Sequence, residues 1–447
     1  STSSTSHFQF HYVPGTAAER DLQQLGALAE ASLDRTSSAL DIGFDGQMSI
    51  FFVPRVFWQG GATYGDKVQL ISYLDRNYTG IRTWSYFTHE GTHALAQELL
   101  QPKENGGGPD GVLVEGLAVW ASGGHYRQEP IDAWAAVVAG SSDYVSLSEL
   151  RKGPFYEFQH ETSYLEAASF VKFLIERYGL EGLEELYGLE TGDQDHDEAL
   201  VRDRYGKGYN DLEADWLEYL ADITPTEQQG GTWRLKVRSF DLMRRYETEL
   251  DPDARILPPK PPPEWTTDTL KIFLRRLDTP VNVALETALI EVQDRLYGGD
   301  LLGAERLLDD VEAALDAGGM LERRALQARQ AILDLIREQD QAVLRSDPVA
   351  YRRTLDPASR LGGVEAVDNW LLVPITAYHQ ELVRLEMAGD GQSAEGVVLV
   401  HAQVAGGDFA EDGRLFSASF VKEGNRWLMG EREFRQPALP LPPPWES

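Results

Sequence analysis

The residues of this 447-residue chain whose types and spacing most directly suggest chemistry are His89-Glu90-Gly91-Thr92-His93. They sit in the run TWSYFTHEGTHALAQELLQ, where apolar Phe87, Ala94, Leu95 and Leu99 recur at a spacing that predicts a helix. At ~100° per residue, two histidines four apart lie one turn apart on one face, so both imidazoles can reach a single metal ion. Glu90 projects about a third of a turn away, beside the ion rather than on it, where a general base can take a proton from an attacking water. A fortuitous match would leave two surface histidines on an amphipathic helix. Such matches arise in roughly one chain per hundred of this composition, which favours the chemical reading.

A catalytic zinc needs a third protein ligand and an open position. The chain has no cysteine, so any tightly held transition metal must sit on His, Asp and Glu. Glu115 is the candidate, in the segment DGVLVEGLAVWAS, which is apolar on every side and reads as a buried helix. An ionised carboxylate there costs on the order of several kcal/mol unless something positive meets it. No Lys or Arg lies within the segment, which leaves a metal ion or a distant arginine. Asp110 precedes the helix and is expected to cap it.

HEGTH, followed after 21 intervening residues by Glu115 in VEGLAVW, resembles the gluzincins, the peptidase MA-like zinc metallopeptidases. The likeness extends over the first 225 residues, through Tyr164–Gly179 (YLEAASFVKFLIERYG) and the closing pair in His196–Asp222. The resemblance implies Zn²⁺ held by His89, His93 and Glu115, with Glu90 as base and a peptide or protein as substrate. It implies Tyr164 as donor to the developing oxyanion, with His160, one turn earlier, as the second choice. It also implies that strand Val68–Leu74 is the edge pairing with extended substrate, with Gly60, Gly61 and Ala62 flanking the cleft. Gly106–Gly108 would join the two metal helices. In the thermolysin branch an acidic residue four positions after the third ligand orients a histidine. Here that position is Val119, so the partner of the zinc histidines is unassigned.

The elements that must position these groups follow from periodicity. HFQFHYV (His7–Val13), MSIFFV (Met48–Val53) and VQLISYL (Val68–Leu74) read as strands, and residues 17–40 as one amphipathic helix. From Ile81 onward the pattern is almost wholly helical. Strands first and helices afterwards predict an α+β fold, with a thermolysin-like zincin domain (mixed sheet plus helical active-site lobe) over residues 1–225. Six prolines between Pro252 and Pro263 predict an extended spacer, followed by helices over 279–346 with Gly-Gly stops at 298–299 and 318–319. Residues 226–321 are thus a proline-rich spacer and helical connector. Residues 322–447 read as a second α+β domain with a proline-rich tail, whose helices and later strands resemble the cone-shaped nuclear transport factor 2-like fold. That resemblance implies an accessory module binding a ligand or partner.

Lys plus Arg number 41 and Asp plus Glu 72, a net charge of −31 that disfavours nucleic acid and anionic membrane as partners. No apolar run approaches the ~18 residues of a membrane span. The polar STSSTS opening without an initiator Met reads as a processed start, and with zero cysteines suggests an extracytoplasmic bacterial protein, secreted or in the cell envelope. DQDHDE (Asp193–Glu198) lacks the glycine and terminal acid of a calcium loop and reads as a solvated turn. Asn77-Tyr78-Thr79 is a glycosylation sequon. His125, His379 and His401 read as isolated. The function expected is a zinc metallopeptidase. The alternative is a non-catalytic gluzincin-fold binding or scaffold protein whose C-terminal domain binds a ligand or partner.

Overall fold

The computed structural model describes residues 1–56, 58, 60–65, 67–74, 83–100, 108–252, 279–319, 324–362, 374–407 and 413–435. The glycosylation sequon, most of the Gly106–Gly108 loop, nearly all of the proline segment from Pro252 and the Pro437–Pro444 tail lie outside them. The chain is mixed α and β, with one mixed sheet and one antiparallel sheet.

The first sheet contains β1 (Thr2–Ser4), β2 (Phe8–His11), β3 (Met48–Val53), β4 (Gly61–Tyr64) and β5 (Val68–Ser72), in the order β1-β2-β3-β5-β4. β2, β3 and β5 run parallel, and β1 and β4 close the two edges antiparallel. Alternation sorts the side chains between the two faces. Phe8, Phe10, Ile50, Phe52 and Ile71 enter the main core, whereas Phe51, Val53 and Leu70 form a small cluster on the other face. The expectation that Val68–Leu74 is the edge is corrected: Gly61–Tyr64 pairs outside it, from Gly61 opposite Ile71 to Tyr64 opposite Val68. β4 is only four residues, opens on glycine and is half-buried throughout, so it lacks the apolar alternation that marks a strand.

The helix expected over residues 17–40 is two: α1 (Ala17–Arg20) and α2 (Leu22–Leu40), divided at Asp21. Asp21 is buried and accepts from Arg20 and from the Tyr73 hydroxyl. Beyond the sheet come α3 (Thr83–Ala96), α4 (Gly111–Ser122), α5 (Ile131–Ala139), α6 (Leu147–Lys152), α7 (His160–Tyr178), α8 (Leu180–Leu189), α9 (Gln194–Tyr205) and α10 (Tyr209–Ala221). α3 packs against α2, β4 and α4, and α4 lies along α7. Glycine permits that last approach, because a Cβ at Gly116 would stand 2.6 Å from the Ala167 carbonyl oxygen. Asp193 of the acidic run caps α9, and buried Asp197 accepts from the backbone of Thr191 and Gly192, so the run is a helix start.

Three further helices, α11 (Glu227–Glu249), α12 (Pro280–Gly298) and α13 (Leu301–Asp316), share the hydrophobic core of the first part. Leu235, Phe240, Met243, Tyr246, Leu289 and Leu308 are buried in it. α12 caps at Gly299, and Gly318 and Gly319 follow α13 with positive φ.

α14 (Arg324–Leu344) and α15 (Pro348–Arg352) back the second sheet, β6 (Ile375–Met387), β7 (Ser393–Val404), β8 (Arg414–Glu423) and β9 (Arg426–Arg435), antiparallel throughout. Its inner face, with Leu382, Val398, Phe420 and Met429, packs on Ile332 and Ile336 in a second core. Val283 and Ala284 of α12 enter that core too, so one helix serves both. No helix among the described residues is long and apolar enough to cross a membrane.

Candidate metal centre

α3 presents His89 and His93 on one face, and α4 brings Glu115 opposite them. The two Nε2 atoms are 3.1 Å apart, and Glu115 Oε2 lies 3.3 Å from each. Three acceptor atoms from two helices thus form a nearly equilateral triangle. On a tetrahedral ion with bonds of roughly 2.0–2.1 Å, ligand atoms stand about 3.3 Å apart, so the triangle is the size such an ion requires. Glu115 is buried, and its Oε2 has no hydrogen-bond partner. Its Oε1 accepts from the Tyr156 hydroxyl at 2.8 Å, which turns the other oxygen toward the histidines. A buried oxygen left unpaired between two imidazoles is a place a cation would satisfy. The three residues are a group able to hold a metal ion.

α4 owes its position to local sequence. The Asp110 carboxylate accepts from the backbone of Val112 and Leu113, as a cap should, and is itself held by Arg151. Gly123 ends the helix in the left-handed conformation.

Glu90, the next residue on α3, is buried on the side facing β4. The Thr63 hydroxyl donates to Glu90 Oε2 at 2.6 Å. Gly61 lies so near that a Cβ there would meet Glu90 Oε1 at 2.6 Å. One oxygen of Glu90 is therefore fixed by the edge strand, and the carboxylate borders the same cleft as the histidines. That cleft, of about 330 Å³, is lined by Gly61, Ala62 and Thr63 of β4, by the metal group, and by a wall of tyrosines and histidines. Gly60 stands behind this wall, against the Tyr86 ring.

Both oxyanion candidates line the cleft. The Tyr164 ring lies 4.4 Å from that of His125 and 6.4 Å from that of His89. Burial, then the charge of Glu115, pushes its hydroxyl well above the ordinary tyrosine range, so it keeps its proton. His160 opens α7, and its Nε2 is hydrogen-bonded to the Tyr126 hydroxyl at 2.6 Å. Burial pushes His160 well below the usual imidazole value, so it is neutral. Tyr164 keeps a hydroxyl proton at the cleft, whereas Nε2 of His160 is engaged with the Tyr126 hydroxyl.

His125, which reads as isolated in sequence, lines the cleft as well. Its Nδ1 faces Glu161 Oε1 at 3.3 Å, and Glu161 Oε2 pairs with Lys236 at 2.6 Å. Lys236 also donates to both oxygens of Glu129. This fully buried chain of charges ties α11 to the back of the site, and it holds Lys236 protonated well above its usual range. His379 and His401, by contrast, are register partners across β6 and β7 of the second sheet and do not line this cleft.

Sequence reasoning passes over Tyr156, Thr63 and Arg244 and reads His125 as isolated, yet all four line the cleft. None belongs to a spaced motif. Comparison with family models, with curated proteins and with solved structures returned no match to this chain.

Proposed function

We propose that the chain is a zinc-dependent metallopeptidase of the gluzincin, or peptidase MA-like, kind. The observation that carries this reading is the triangle of His89, His93 and Glu115, with Glu90 and a strand edge beside it. Two imidazoles and one carboxylate leave a tetrahedral ion one open position, the arrangement of catalytic rather than structural zinc. When bound, zinc would polarise the scissile carbonyl and acidify the water that attacks it.

The chain's own residues do the rest. Glu90 takes the water's proton and passes it to the leaving amine. The Thr63 hydroxyl holds Glu90 Oε2 and so sets which oxygen faces the water. Tyr164 keeps its proton and can donate to the developing oxyanion. β4 is a sheet edge lining the cleft, and its backbone can take an extended peptide as a further strand. Tyr156 orients Glu115, the supporting role that acidic partners often play around zinc ligands. The N-terminal part then corresponds to a thermolysin-like zincin domain. The last part, a four-stranded antiparallel sheet backed by α14 and α15, supports a nuclear transport factor 2-like accessory module.

The test is metal analysis joined to one substitution. Purified protein should carry about one zinc per chain. Glu90→Gln should keep the metal and lose at least a hundredfold in cleavage of a mixed peptide library. Absence of metal at stoichiometric zinc, or undiminished cleavage by the variant, refutes the mechanism. Bound zinc with no chelator-sensitive cleavage favours the scaffold.

A further inference from the structure

Five tyrosines line the metal cleft: Tyr86, Tyr126, Tyr156, Tyr164 and Tyr187. Two of their hydroxyls are spent inside the protein, Tyr126 on His160 and Tyr156 on Glu115. Tyr86 packs against Gly60, and Tyr164 stands near His89. Tyr187, on α8, has no task so far. Its side chain is 2% exposed, yet its hydroxyl has no hydrogen-bond partner among the described residues. Buried phenols ordinarily find one. Nor is this oxygen sealed from solvent, as those of Tyr205 and Tyr297 are. A nearly buried side chain that lines the cleft therefore keeps its polar tip open to it.

Two contacts locate this tip. α8 packs on the turn Gln97–Leu99 that follows α3, and Glu190, just after α8, accepts from the backbone N–H of Asp110 at 3.3 Å. Tyr187 thus belongs to the end of the cleft that Leu100, Pro109 and Val114 also line. Val114 directly precedes Glu115, so this end adjoins the metal group. Burial, then the charge of Glu115, pushes the Tyr187 hydroxyl above the ordinary tyrosine range, so it keeps its proton. Three kinds of substrate side chain meet this end differently. A carboxylate is repelled by Glu115. A wholly apolar group strips the hydroxyl of water and leaves it unpaired, which lowers affinity. A ring ending in a hydroxyl suits the apolar walls and can both donate to Tyr187 and accept from it.

We infer that Tyr187 closes a substrate side-chain subsite that selects tyrosine over phenylalanine, with Leu100, Pro109 and Val114 taking the ring and the Tyr187 hydroxyl its phenolic tip. The inference rests on the peptidase reading for the identity of its ligand, and the experiment separates the two.

Zinc-loaded Glu90→Gln protein is titrated by fluorescence-polarisation competition with acetylated, amidated hexapeptides carrying Tyr or Phe at each position in turn. At one position the Tyr peptide should bind roughly tenfold or more tightly than its Phe twin. Adding Tyr187→Phe should bring that ratio to about one, with zinc affinity unchanged. The hydroxyl has no protein partner to lose, so this variant should fold as the parent does. Equal binding of Tyr and Phe peptides at every position overturns the inference without any variant, as does a ratio that survives Tyr187→Phe. A variant that keeps the ratio and loses zinc affinity instead makes Tyr187 a support of Glu115, which also overturns it. Peptide cleavage by the unmodified chain with no Tyr preference leaves the peptidase standing and removes the subsite. A Tyr preference in binding with no cleavage does the reverse.

Discussion

Glu115 has two oxygens with two different tasks, and Tyr156 separates them. With Oε1 accepting from the Tyr156 hydroxyl, Oε2 is left to the histidines. Tyr156→Phe should therefore keep the fold, since the ring is largely exposed, while weakening zinc roughly 10–100-fold. Competition against a calibrated chelator measures this, and unchanged affinity would reduce Tyr156 to a bystander. Glu166, on the buried side of α7, makes the opposite kind of prediction. Burial raises its carboxyl well above the usual 4.5, with the backbone N–H of Val145 opposing and Glu213 adding to the shift. An acid whose folded pKa is raised gives its full stability below the unfolded value and loses it as pH climbs through the folded one. Glu166→Gln cannot ionise, so it should leave the melting temperature nearly unchanged at about pH 4.5 and raise it at about pH 9. A gain of equal size at both pH values would contradict the burial argument. That His89, His93 and Glu115 could meet was legible in sequence because helical spacing places His89 and His93 on one face, and because an acid amid apolar neighbours demands a partner. Tyr156 and Thr63 were not, since each reaches the site through a tertiary contact that no local pattern encodes.

At the level of elements, two glycines separate structure from chemistry. A Cβ at Gly116 would strike the backbone carbonyl of Ala167, so α4 and α7 would have to move apart. Gly116→Ala should cost on the order of 1–3 kcal/mol and weaken the metal site with it, because α4 carries Glu115. At Gly61 the obstacle is instead the free end of the Glu90 side chain. Gly61→Ala should therefore keep stability and zinc while lowering kcat, as Glu90 swings off its seat against Thr63. Thermal melts, metal content and peptide turnover on both variants decide this. Equal loss of stability in the two would show that Glu90 cannot yield to a methyl group on β4. The same strand explains why the sheet edge was misplaced from sequence. Val68–Ser72 has the apolar run that marks a strand, yet pairing, not hydrophobicity, decides which strand is outermost. Four residues beginning with glycine carry too little pattern to announce themselves. Helices α4, α7, α9 and α10 were readable because each is long and opens on a recognisable break, as Asp110 does for α4.

For the whole molecule, a boundary at residue 225 looks natural in sequence, since the HEGTH run and the helices that resemble those of the gluzincins lie before it. The packing instead gives weight to α11, on the far side of that boundary. α11 supplies Phe240, Met243 and Tyr246 to the core that also encloses the sheet and α4, and it supplies Lys236 and Arg244 to the surroundings of the cleft. Arg55, after β3, is fully buried against Asp251 just beyond α11, with two hydrogen bonds of 2.8 and 2.9 Å. Cutting at 225 would leave Arg55 and Glu161 as buried charges without these partners, and breaking a buried pair on one side costs roughly 3–5 kcal/mol. Two such losses, added to the exposed apolar surface, rival the ~5–15 kcal/mol that holds a typical domain together. A chain ending at residue 225 should therefore show no cooperative thermal transition. One ending at residue 319 keeps α11 to α13 and should melt cooperatively and bind zinc, although it exposes Val283 and Ala284 and leaves Glu291 without Arg329. Differential scanning calorimetry of both distinguishes the cases. A cooperative transition in the shorter chain would mean that α11 leans on a finished domain, and that its arginine reaches the cleft from outside.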